Sequence, residues 1–204
     1  MGPDPATVPP VFRWYGLVTA GTPLEQGDIF LRFPVLEPPT LSADDIDQAH
    51  RGVAPSLDAD LKLYDLIVLS QSCDLQDMLP SAHVILCPLI DLRKATKADG
   101  KTLATPQEYG NLRTSRHVGA HLLNLCDIAG HAFEFKVVDL QRIVSVPRKV
   151  VDIMSAQAPY RVRLLPPYRE HLAQAFARQF MRVGLPSILP EKYPYAASTS
   201  VSTR

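Results

Sequence analysis

The segment Ser70-Gln71-Ser72-Cys73-Asp74 follows directly on the most apolar run of the chain, Leu66-Ile67-Val68-Leu69. Polar groups at the end of a buried strand are held rigidly while their side chains reach a surface, which suits a site. As a thiolate, Cys73 would be a nucleophile or a metal ligand. A nucleophile needs a base, and Asp74 opposes thiolate formation unless a cation intervenes. His83, further along, is a second candidate base. Cys73, Asp74 and His83 are therefore the candidate catalytic residues, and Ser70, Gln71 and Ser72 the binding groups beside them. The same residues have a plain structural use, with Ser72 or Asp74 capping a turn and Cys73 packing as a small apolar group.

His117, His121 and Cys126 have the spacing H-x3-H-x4-C. On a helix the two imidazoles would share a face and could hold zinc, with His131 or Cys87 as a further ligand. On a strand they would share a face but stand far apart. Zinc is the one cofactor that the residues suggest. Arg113 and Arg116, with Arg93, Lys94, Lys97 and Lys101, make the one basic-rich stretch. It would contact phosphates, although Asp91, Asp99 and Glu108 dilute it. Arg178 and Arg182 with Tyr168 would make a grip for an anion or simply the wet face of a helix.

No GxGxxG, GxxxxGK[ST], HExxH, GxSxG or DxDxDG occurs, so the common nucleotide, zinc-protease and hydrolase readings have no motif. Lys plus Arg balances Asp plus Glu at 21 each in 204 residues. A neutral chain has no global field for nucleic acid, and an RNA site would have to be local. Hydrophobic residues make up 46%, enough for a core. The three cysteines include no CxxC, which points away from a disulfide framework and toward reduced thiols in a cytoplasmic setting. No apolar run approaches membrane-spanning length.

The elements that must position these residues are short, because 19 prolines punctuate the chain. Strands are expected at 12–18, 29–33 (ended by Pro34), 65–70, 83–89 (ended or placed at an edge by Pro88) and 133–140, with 142–146 continuing the last. Ser42 should cap a helix reaching His50, inside a surface insertion over 35–60. Thr105-Pro106-Gln107-Glu108 should open another helix. A short helix should follow Pro147. Leu172, Phe176, Phe180 and Val183 mark an amphipathic C-terminal helix ended by Gly184. The expectation is an α+β fold with a small, mostly antiparallel SH3-like barrel or sheet, helical insertions and that last helix. One globular domain would span 11–186, with a β core over 11–146 and a helical part over 147–186. Residues 1–10 and 187–204 would be flexible.

Three pieces carry a likeness. Gly27-Asp28-Ile29 leads to Phe33-Pro34, a later strand ends in Val68-Leu69-Ser70, and Ile85-Leu86-Cys87-Pro88-Leu89 follows. These pieces, within 27–89, resemble the MazF/PemK (Kid-like) toxin endoribonucleases. The resemblance implies an SH3-like barrel and a setting in a bacterial toxin or defence system. The family's Arg-Pro before the second strand, tied to RNA cleavage, is Tyr64-Asp65 here.

Three functions follow. The first is a non-catalytic interaction or regulatory module on such a barrel, with a protein partner or a second copy and no membrane. The second is a metal-independent endoribonuclease, which needs a base near the ribose hydroxyl (Asp74 or His83) and a cation (Arg113 or Arg116). The third is a zinc or thiol enzyme centred on Cys73.

Overall fold

The computed structural model describes residues 12–54, 56–76 and 82–181. The expectations placed on 1–10 and on 182–204, including Arg182, Val183 and Gly184, lie outside them.

Along the chain run β1 (Tyr15–Thr19), β2 (Asp28–Glu37), α1 (Ala43–His50), β3 (Asp60–Val68), α2 (Ser72–Gln76), β4 (His83–Asp91), α3 (Pro106–Arg113), β5 (Ala120–Leu123), β6 (Lys136–Asp139), β7 (Val144–Pro147), α4 (Arg148–Gln157), β8 (Tyr160–Leu164) and α5 (Tyr168–Phe180). The strands form one sheet in the order β1-β8-β2-β3-β4-β6-β5, with β7 also on β4. Every pairing is antiparallel. The fold is thus α+β. The sheet is open and ends at β1 and β5; it is not a closed barrel. The Tyr15 ring stands between those ends. It meets Phe133 edge-on, and its hydroxyl donates to the Asn124 carbonyl at 2.7 Å.

Alternation along β3 explains its continuous apolar run. Leu66 and Val68 join one core with Phe30, Phe33, Leu75 and Val151, and Ile67 and Leu69 join the other with Tyr15, Cys87, Leu164 and Leu172. α4 and α2 thus cover one face of the sheet, and α5 covers the other.

The capped helices are where sequence placed them. Ser42 accepts from the Asp45 amide, and the Asp45 carboxylate accepts from the Ser42 amide. Thr105 accepts from the Glu108 amide, with Pro106 in the first turn.

The prolines behave differently from expectation. β2 continues through Pro34 because past Ile29 it pairs with β3 alone, which leaves its other edge free. β4 continues through Pro88, which sits where the partner changes from β7 to β6. The expected surface insertion over 35–60 therefore begins and ends as strand. This β2–β3 ribbon presents Pro34, Leu36, Leu61 and Leu63 on one face, with the three leucines exposed. The stretch expected to be helical, 147–186, supplies β8, which lies between β1 and β2.

A charged cluster fixes β8 in place. Asp28, fully buried, accepts from Arg163 and Arg161, and Arg163 also pairs with Glu25 at 2.6 Å. Glu25 in turn holds Arg169 of α5 at 3.0 Å. Among the described residues, no helix is long and apolar enough to cross a membrane.

Candidate functional site

The loop after β3 spends most of its polar groups on its own support. Ser70 Oγ accepts from the Ile85 amide at 2.8 Å, and Ser72 Oγ from the Gln26 amide at 3.2 Å. Gln26 Nε2 donates to the Leu69 carbonyl at 2.8 Å. The Leu75 carbonyl receives Arg148 Nη1 at 2.8 Å, and the Leu75 side chain is buried. Cys73 remains exposed, and its Sγ lies 3.7 Å from Gln71 Oε1 and 3.6 Å from Asp74 Oδ1. Both neighbours are oxygen acceptors, and neither is a cation. His83 is exposed at the start of β4. Among the described residues no hydrogen bond or ion pair joins it to Cys73 or Asp74.

The zinc spacing does not assemble. His121 is in a strand, β5, rather than on a helix, and His117 precedes it with Nδ1 3.1 Å from the Val118 carbonyl. Cys126 is packed in the core. No three His, Cys, Asp or Glu side chains among the described residues come together as a metal site.

What the fold does bring together lies at the β5 end of the sheet. A cleft of about 360 Å3 opens between α3, β5, α5 and the chain entering β1. Trp14 and Tyr168 form one wall. Their rings stack with centroids 3.6 Å apart and planes 9° from parallel. Tyr109 and Phe135 form another, meeting edge to face at 6.0 Å. The polar groups reaching it are Arg113, Ser115, His121, Asn124 and His171. A second hollow, of about 160 Å3, shares Ser115 and His121 and continues past His117 to Arg178. Together they make a trough with cations on its exposed side and aromatic rings on its walls.

Local sequence explains each placement. The cap at Thr105 fixes where α3 starts, and so where Arg113 ends it. Ser115, at φ 54°, turns the chain toward β5. Tyr168 and His171 are one helical turn apart, so both face the cleft. His121 is 7% exposed and makes no hydrogen bond to a described residue. Burial, and then the charges of His171 and Arg178, push its imidazole down to about 4. It is therefore a neutral ring at physiological pH, able to donate from one nitrogen and accept at the other.

Of the residues singled out from sequence, Arg113, His121, Tyr168 and Arg178 line this trough, with His117 at its edge. Arg116 is exposed outside its lining, and Cys73, Asp74 and His83 lie elsewhere. Sequence reasoning missed Ser115, Asn124, His171 and above all Trp14. Trp14 is the only tryptophan of the chain, and a lone tryptophan just before a first strand was the available signal. No known protein family, curated protein or solved structure matches this chain.

Proposed function

We propose that this chain is a non-catalytic recognition module, of the interaction or regulatory kind, whose recognition site is the cleft between α3, β5 and α5. The observation that carries the reading is His121: a buried, neutral imidazole aimed into an aromatic-walled cleft and left without a hydrogen-bond partner among the described residues. Its ring nitrogens are not among the buried side-chain atoms left without a partner, so they open to the cleft, where a ligand can pair with them in place of water. The cleft also matches the general form of small-ligand sites, mostly apolar with a few convergent polar groups, and its volume falls at the small end of their roughly 300–1,000 Å3 range. Trp14 is a built-in reporter. Small aromatic probes, neutral and anionic, titrated into the protein should change Trp14 emission saturably and raise the melting temperature, and the bound probe should be recovered unaltered. If no probe of any class does so, the cleft is not a recognition site.

A second reading, metal-independent RNA cleavage, is favoured by one observation. Arg113 shares its cleft with two imidazoles, His121 and His171, which are the group types that ribose-assisted cleavage uses. Incubation with mixed-sequence single-stranded RNA separates the two readings: cleavage lost in Arg113→Ala supports the second, and intact RNA removes it.

A further inference from the structure

We infer that the cleft takes a nucleotide, with the base between the aromatic walls and the phosphate on Arg113 at the open side. The inference rests on the recognition reading above and names its ligand class.

The walls set the first requirement. Trp14, Tyr168, Tyr109 and Phe135 present ring faces and edges around a space of about 360 Å3. A planar, unsaturated ring fills such a slot, and stacking on aromatic side chains holds every nucleobase because every base has a π-face.

The polar groups set the second. A simple aromatic acid would satisfy Arg113 and leave the other groups of the cleft unmet. His121 is nine-tenths buried and unpartnered among the described residues. The Asn124 side chain accepts from the Leu125 amide through Oδ1, which leaves its NH2 group to donate. Ser115 adds a hydroxyl. A base edge carries ring nitrogens and exocyclic oxygens or amines that can pair with this set, and a hydrocarbon ring does not.

The charges set the third. Arg113 lines the cleft, His171 lies at its mouth, and Arg178 lies beyond, along the hollow that shares Ser115 and His121. Among the described residues no carboxylate lines either hollow. An anion at this end meets a fork of donors in Arg113. The volume admits one base with its sugar and phosphate. The same chemistry comes from a free mononucleotide or from the end of a single strand.

The test uses the full chain, Trp14 emission and calorimetry, with five probes: AMP, adenosine, inorganic phosphate, indole-3-acetate and a single-stranded pentanucleotide with a 5′-phosphate. The other three ribonucleoside monophosphates follow AMP. The expected result is saturable binding of at least one mononucleotide, roughly tenfold or more tighter than its nucleoside, with no binding of phosphate alone. Arg113→Ala should bring the mononucleotide to the affinity of the nucleoside and leave the nucleoside unchanged, which a folding defect would not do. His121→Phe should weaken nucleotide and nucleoside alike. A pentanucleotide tighter than the mononucleotide identifies the strand end as the source, and an equal or weaker one identifies the free nucleotide. If indole-3-acetate binds as tightly as every nucleotide, the ligand class is wrong while the recognition reading stands. If none of the probes binds, both fail.

Discussion

Asp28 and Arg163 stand directly opposite one another in the β2–β8 ladder, and their side chains meet as a two-pronged ion pair. Arg163 Nε is 2.5 Å from Oδ1, and Nη2 is 3.0 Å from Oδ2. Oδ2 also receives the Glu25 amide and Arg161, whose side chain is 1% exposed. The cluster explains how two buried arginines can occupy a strand paired on both sides. It also joins the last strand, far along the chain, to the first long one.

Asp28→Asn keeps the shape and removes the charge, leaving the buried Arg161 without a counter-ion among the described residues and Arg163 with Glu25 alone. Removing one partner of a buried pair costs about 3–5 kcal/mol. Denaturant unfolding of the variant should show a loss of that order with an unchanged slope. A loss below about 1 kcal/mol would mean that Glu25 alone suffices to hold Arg163.

The same cluster marks what sequence could and could not disclose. Period and caps are local signals, and they placed the β3 core, α1, α3 and α4 from the residues alone. Pro34 and Pro88 read locally as strand ends. Whether a missing N–H matters depends on which neighbour the strand has at that residue, and that is a property of the sheet. β8 was hidden for a related reason. Tyr160-Arg161-Val162-Arg163-Leu164 carries two charges at positions that a strand interior normally keeps apolar, and only Asp28, remote in sequence, makes them acceptable. The cleft is the extreme case. Trp14, Arg113, His121 and His171 come from four separate elements, and no spacing between them in sequence announces that they meet.

His121 should impose a pH dependence on stability. In the unfolded chain its imidazole titrates near 6.5; in the fold, burial and the charges of His171 and Arg178, with Arg113 also on the cleft, hold it near 4. The unfolded state therefore binds the proton first as pH falls. The contribution is fully present above about 6.5 and is lost as pH falls to about 4, and it amounts to about 3 kcal/mol over that window. Between pH 7.5 and pH 4 the unfolding free energy of wild type should fall by about 3 kcal/mol more than that of His121→Phe, which has no imidazole to titrate. A constant gap would mean that the imidazole takes up its proton in the fold as readily as outside it.

Thiol reactivity should single out Cys73. It is exposed, whereas Cys87 and Cys126 are packed in the core. Burial pushes the Cys87 thiol up to about 12 and raises that of Cys126 as well. A thiol reagent in excess should label one cysteine per native chain quickly and the other two only on unfolding. Cys73→Ala should remove the fast phase and change stability by less than about 0.5 kcal/mol, as an exposed side chain outside any packed contact should. Fast labelling of a second cysteine would show that the sheet opens locally at the native pH.

Lys136 links three parts of the sheet. Its ammonium is 3.0 Å from Asp65 Oδ2 and 2.7 Å from Asp91 Oδ1, with the side chain 9% exposed. Asp65 has a second duty, accepting through Oδ1 from the amide of Arg32, a residue at φ 54° where β2 bulges. Lys136→Met keeps the stem and removes the charge, so two carboxylates then share a site with no cation between them. Both carboxylates are partly solvated, which moderates the effect to about 2 kcal/mol at neutral pH. The sign with pH follows from the same pairing. Lys136 holds the Asp91 carboxyl below its usual range, so in the wild type this contribution is present above the ordinary carboxylate range and is lost as pH falls through the lowered value. In the variant the two carboxylates repel, and protonating either relieves them. The gap between wild type and variant should therefore narrow below about pH 4, as read from unfolding curves at pH 7 and pH 3.5. A gap of equal size at both would assign Lys136's role to its ammonium over the Phe133 ring, 6.0 Å from the centroid, and not to the two carboxylates.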